Sequence, residues 1–193
     1  MSLQPLVRIP PLVSAARSAP LIAGRGDVSY RELPCRSALN RCTSERVPFQ
    51  WTINPYRGCE FACRYCYARY THEYMGIEEG RLFETEIYAK TGAAAALERD
   101  LPAGRVRRGA IAIGTVTDPY QPAERKLKIT RSLLEVFARR SGLTLSITTK
   151  GTLITRDIDL LREIAARNAL SVNVTITTLS RKLARQLEPR APR

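Results

Sequence analysis

Three of the five cysteines, Cys59, Cys63 and Cys66, fall within eight residues at C-x3-C-x2-C spacing, inside NPYRGCEFACRYCY at 54–67. Three thiolates so spaced on one short loop can hold one face of an iron–sulfur cube, each binding one iron and leaving the fourth without a protein ligand. An open iron is a place for chemistry. An electron-transfer ferredoxin instead asks for a fourth cysteine in a C-x2-C-x2-C-x3-C-P run, which this chain lacks. Zinc is the alternative metal. His72, the one histidine, lies six residues past Cys66 and would complete a Cys3His tetrahedron, or else occupies a helix surface within YTHEY. Such a zinc protein would be non-catalytic and would use its basic surface on nucleic acid. Unliganded packing is the poorest account of the trio, because thiols crowded into a Gly/Pro-bounded loop seldom serve a core. An odd cysteine count of this pattern fits metal chemistry in a reducing compartment, so the expected location is cytoplasmic. Cys35 and Cys42 stand outside the motif and read as bystanders.

The elements that must position this loop follow from periodicity. The chain has 193 residues, 44% hydrophobic and 25% charged, without the run of roughly 18 apolar residues that a membrane span needs. One compact domain of this length needs no disulfides to hold its core. Residues 1–48, broken by Pro5, Pro10, Pro11, Pro20, Pro34 and Pro48, read as an irregular N-terminal extension without a signal peptide. From 49 to 193 short β-rich runs alternate with helical runs. The predicted strands are 49–54 (FQWTIN), 110–116 (AIAIGTV), 143–149 (LTLSITT) and 171–177 (SVNVTIT). The predicted helices are 66–75, 91–100 with Thr91 as its cap, and 130–140 with Leu133, Leu134 and Phe137 on one face. A further helix, opened by Thr155, groups Ile158, Leu161, Ile164 and Ala165, and a last one, 181–187, is capped by Ser180. Residues 81–89 read as extended. Four βα units imply parallel strands, right-handed crossovers and ligands at the strands' carboxyl ends. The sequence stops just after a helix, where another strand is expected, and a fourth strand left open would be an aggregation-prone edge, so a fragment is expected. Lys and Arg number 31 against 18 Asp and Glu, a net charge of +13, and 26 of the basic residues are arginine. They are scattered, so nucleic acid and a generally basic surface are equal readings of the charge.

The signature Cys59/Cys63/Tyr65/Cys66, set directly after a first strand, resembles the radical S-adenosylmethionine superfamily. The wider context of NPYRGCEFACRYCYAR, TDPYQPAE at 117–124, TTKG at 148–151 and VTITTL at 174–179 is similar to its spore photoproduct lyase-like (DNA repair photolyase-like) branch. The resemblance implies an α/β fold, a partial (βα) barrel with about four of six βα units present and hence C-terminally truncated. It implies a 4Fe-4S cluster on Cys59, Cys63 and Cys66. S-adenosylmethionine would bind with Tyr65 under the adenine and Thr117 and Asp118 at the methionyl amine. Lys150 would pair with the methionyl carboxylate, and Thr175, or Thr177 by alternation, would hold the ribose. Reductive cleavage would then give a 5′-deoxyadenosyl radical that abstracts hydrogen from an unknown substrate, with Tyr67 matching a hydrogen-relay tyrosine. The implied partners are S-adenosylmethionine and a one-electron reductant such as flavodoxin or ferredoxin. One departure is plain: the branch's hydrogen-donating cysteine near the second strand is absent, the segment here being Gly114-Thr115-Val116.

Overall fold

The computed structural model describes residues 10–102 and 109–192. The prediction of an irregular first segment is corrected at once. Helix α1 (Pro11–Arg17) starts with proline at its first position, where no backbone N–H is needed. It is followed by a hairpin of β1 (Leu21–Arg25) and β2 (Val28–Glu32), and then by the short β3 (Asn40–Arg41). The hairpin turns on two residues, Gly26-Asp27, and Gly26 takes φ +61°, a conformation that costs glycine least. Gly24 and Gly26 look like chain breaks in the sequence, whereas Gly26-Asp27 between two β-rich runs is a hairpin signal.

Strand β4 (Trp51–Ile53) opens the part that carries the cysteines, followed by β5 (Tyr56–Arg57) and a 3-10 segment, Tyr67–Met75. Residues 81–89 are not extended throughout. One helical turn, α2 (Leu82–Thr85), buries Phe83 before β6 (Glu86–Ala89) begins. Helix α3 (Ala93–Asp100) is not capped by Thr91; Gly92 is its N-cap, and the Thr91 hydroxyl donates to Glu32 at 2.5 Å instead.

Strand β7 (Ala110–Ile113) leads through α4 (Pro122–Leu127) and α5 (Ile129–Ala138) to β8 (Thr144–Thr149). Helix α6 (Ile158–Ala165) then leads to β9 (Ala169–Val174) and α7 (Arg181–Leu187). Ser180 caps α7 as expected, accepting from Leu183 N. Thr155 does not open α6. It lies in a 3-10 segment, Thr152–Asp157, whose buried Asp157 is held by Arg131 and Arg156 at 2.7 Å each. In the helix that follows, Ile158 faces solvent, while Ile164 is buried.

Two sheets result, β1-β2-β6-β5 and β3-β4-β7-β8-β9. In the second, β4, β7, β8 and β9 run parallel, one for each predicted βα unit. Ile53, Ile111, Ile113, Leu145 and Ile147 join Leu97, Leu133, Leu134, Phe137 and Ile164 in one apolar cluster, the burial that drives the layers together. Gly114 lets the chain leave β7 sharply at φ +90°, a Cβ there falling 2.6 Å from Pro119 and 2.7 Å from the Thr148 carbonyl oxygen. β9 is a terminal strand of its sheet, with Val172 and Val174 open to solvent. Among the described residues no helix is long and apolar enough to cross a membrane.

Candidate functional site

The cysteine loop begins where β5 ends, and other segments fasten each of its first residues. Gly58 takes φ +83° and its carbonyl accepts from Thr117 Oγ1 at 2.6 Å and Gln121 Nε2 at 3.2 Å. Gln121 Oε1 in turn accepts from Glu60 N at 3.0 Å. The Glu60 carboxylate is fully buried and accepts from Tyr30 on β2, Ala123 N on α4 and Arg25 on β1. A buried carboxylate with this many donors fixes backbone position, since losing any one leaves charge unsatisfied. The N-terminal hairpin is thereby tied to the loop. Ala62 takes φ +55°, and Cys66 N donates to Cys63 O at 3.0 Å, closing a turn between the second and third cysteines.

Phe61, Cys63 and Ala191 form a small cluster on which Cys59 and Cys66 pack. The last helix staples the loop from its own end: Arg64 N donates to Leu187 O at 2.8 Å and Arg190 N to Phe61 O at 3.3 Å. All five cysteines are free thiols.

Nine of the residues singled out for the site line one cavity of about 550 Å³: Cys59, Cys63, Cys66, Tyr65, Tyr67, Thr117, Asp118, Lys150 and Thr175. Thr117, Lys150 and Thr175 reach it from just beyond the carboxyl ends of β7, β8 and β9, where parallel strands present ligands. Thr177 is not among its walls; its hydroxyl lies against Tyr65 and Glu188. Val47, Pro48, Phe49 and Val116 supply apolar wall that no sequence signal marked.

Asp118 is buried and accepts from Thr149 Oγ1 (2.6 Å), Lys150 N (2.7 Å) and Tyr120 N (2.9 Å), while burial pushes its pKa above the usual carboxylate range. Asn54 ties the start of the loop to the end of β7 by accepting from Val116 N at 2.9 Å. The Tyr67 hydroxyl donates to the Thr115 carbonyl; its ring is exposed, which removes core packing as an account of it.

His72 sits neither on a surface nor in a metal site. It is buried between Phe83 and Tyr88, with Nε2 on the Glu86 carbonyl at 3.1 Å, and burial lowers its pKa. The Cys3His arrangement has lost its fourth ligand to the core. Among the described residues no three His, Cys, Asp or Glu side chains converge on a single ion. The three thiols do share one loop and line one cavity, and soft sulfur donors suit an iron–sulfur cluster.

Burial pushes the Cys59 thiol well above its usual pKa and the Cys63 thiol up to about 11. The thiolate is the form that reacts and binds metal, so both alkylation and metal uptake should be favoured by alkali. In metal-free protein the alkylation rate at Cys63, followed by peptide mass spectrometry, should rise about tenfold per pH unit from neutrality. It should level off near pH 11. A rate that is flat above pH 8 would contradict the assigned burial.

Parallel strands with a three-thiol loop and a cavity at their carboxyl ends define an α/β protein. The chain belongs to the Radical SAM superfamily, whose sequence profile matches residues 53–193. It is similar to an uncharacterized protein of Mycobacterium tuberculosis, 42% identical over 166 residues, which is 86% of this chain and 48% of that protein. An uncharacterized protein of Methanocaldococcus jannaschii is 32% identical over 146 residues, 74% of this chain and 50% of its own length. One from Acidianus two-tailed virus is 30% identical over 147 residues, 74% of this chain and 47% of its own. The chain thus spans about half the length of the curated relatives it matches. No solved structure matches it significantly.

Proposed function

We propose that the chain carries the cofactor-binding half of a radical S-adenosylmethionine enzyme of the spore photoproduct lyase-like branch, built on four βα units of a partial barrel. The observation that supports this most is that all nine residues named by motif line one cavity. Cys59, Cys63 and Cys66 would hold a 4Fe-4S cluster. When bound, that cluster with S-adenosylmethionine supplies a 5′-deoxyadenosyl radical able to remove hydrogen from an unactivated carbon of the substrate.

The chain's own residues position and exclude. Lys150 offers an ammonium to the methionyl carboxylate at the rim of the cavity. Thr117 and Asp118 form the amine end; three of the roughly four lone-pair sites on Asp118 are taken by protein donors, which orients the carboxylate and leaves an acceptor site. Tyr65 lies beside the adenine and Thr175 beside the ribose. Val47, Phe49 and Val116 keep water from the wall facing them. Tyr67 serves as hydrogen relay. Its hydroxyl rests on Thr115, within the segment that holds the donor cysteine in the branch. The absence of a cysteine from Gly114-Thr115-Val116 suits a reaction other than thymine-dimer repair.

A one-electron reductant of the flavodoxin or ferredoxin kind, and a cytoplasmic setting that keeps the five thiols free, belong to this reading. Nucleic acid is the partner to which the +13 charge would be suited, through a salt-sensitive complex. The test is anaerobic reconstitution followed by iron and sulfide analysis and incubation with dithionite and S-adenosylmethionine. About four irons and four sulfides per chain, with formation of 5′-deoxyadenosine, are the expected results. A colourless protein without stoichiometric iron overturns the reading.

A further inference from the structure

Glu188, at the end of α7, has no place in the functional scheme above, yet a single one of its carboxylate oxygens gathers three donors. Lys150 Nζ lies 3.2 Å from Oε1, Thr177 Oγ1 donates to it at 2.6 Å, and the Tyr65 hydroxyl donates to it as well. The carboxylate is buried, 8% exposed, and so has been taken out of water for these partners. Tyr65 and Lys150 line the cavity, whereas Glu188 and Thr177 do not. The carboxylate therefore grips the lysine and the tyrosine from outside the site.

This arrangement has a direct chemical consequence. An ammonium carries three N–H donors, and one suffices for Glu188, so the others remain for an anion in the cavity. The Tyr65 ring, with Lys150 Nζ 5.8 Å from its centroid, is fixed at its hydroxyl end by Glu188 and Thr177. One carboxylate thus sets the direction of the two side chains that meet opposite ends of an amino-acid-bearing nucleoside.

We infer that Glu188 is a positioning residue for carboxylate recognition, holding Lys150 and Tyr65 at the cavity rim. This rests on the assignment of Lys150 to the methionyl carboxylate. Burial alone pulls the Lys150 pKa down, but hydrogen bonds to Glu188 and Tyr65 outweigh it and the net shift is upward, which keeps the ammonium charged.

The experiment compares equilibrium binding of S-adenosylmethionine and of its decarboxylated analogue to cluster-reconstituted full chain. The proteins are wild type, Glu188→Gln, Glu188→Asp, Lys150→Ala and the Glu188→Gln/Lys150→Ala double variant. Glu188→Gln, which removes the charge facing Lys150 but keeps an oxygen acceptor for the Tyr65 hydroxyl, should weaken S-adenosylmethionine about tenfold and change the decarboxylated analogue less than about twofold. Glu188→Asp, which keeps the charge on a shorter arm and serves if the glutamine variant does not fold, should lose about threefold on S-adenosylmethionine alone. In the double variant the Glu188 change should add nothing to the Lys150 loss, the mark of two residues acting as one. Equal losses on both nucleosides, or additive losses, overturn the positioning role while leaving Lys150 in place. Wild-type protein that holds a cluster and binds neither nucleoside overturns the carboxylate assignment and this inference together.

Discussion

Cys63→Ala protein is expected to emerge from anaerobic reconstitution colourless and without stoichiometric iron, while keeping its fold. Cys63 is the middle one of the three proposed ligands and is buried, packed with Phe61 and Ala191. Two of three corners do not hold a cube whose fourth corner has no protein ligand. The fold is spared because the structural work at this position is done by the backbone: the Cys63 carbonyl accepts from Cys66 N at 3.0 Å and from Arg69 at 2.9 Å, and neither bond needs the sulfur. Losing one buried sulfur atom should cost about 1 kcal/mol, a few degrees in Tm for a chain of this size. Cys35→Ala is the matched control. Its thiol donates to the Ser37 carbonyl at 3.3 Å, remote from the cavity walls, and its iron content should equal wild type. Iron retained by Cys63→Ala would remove the ligand assignment.

Gly58→Ala is expected to be strongly destabilising, although it adds only one methyl group. At φ +83° any side chain is strained, and here there is also no room. The added Cβ would lie 2.8 Å from the Phe83 carbonyl oxygen, 2.9 Å from that of Glu86 and 3.0 Å from Ile87 Cδ1. Two of those three neighbours are backbone, which cannot swing aside. Strain and clash together should cost about 3 kcal/mol or more, roughly 10 °C in Tm. Gly142→Ala separates the two effects, because Gly142 takes φ +73° with nothing within 4 Å. It should cost only about 1 kcal/mol. Thermal unfolding of both variants, with cluster content measured alongside, should show iron falling for Gly58→Ala alone, since the displaced carbonyl is the one held by Thr117 and Gln121. Equal Tm values for the two variants would show that the close packing around Gly58 yields easily.

The parallel strands were legible because their signal is local: AIAIGTV and LTLSITT are apolar runs bounded by turns, and each lies within a residue or three of the observed β7 and β8. The cysteine loop was legible for the same reason, its three cysteines being neighbours in sequence. What stayed hidden was settled by distant partners. His72 looked available until Phe83 and Tyr88 were folded against it. Thr91 has a cap residue's chemistry, but Glu32, far earlier in the chain, takes its hydroxyl. Ile158 fitted a helical stripe whose start was misplaced because two arginines hold Asp157 in a tighter turn. Glu188 follows a helix end with no motif around it, and its meaning comes wholly from Lys150, Tyr65 and Thr177.

The staple between the loop and the last helix bears on the order of manufacture. Arg64 and Phe61 leave the ribosome long before Leu187 and Arg190, the residues that complete their backbone pairing. The cysteine loop therefore gains these two backbone partners only once α7 has been made, whereas the grip of Arg25 and Tyr30 on Glu60 comes from residues already synthesised.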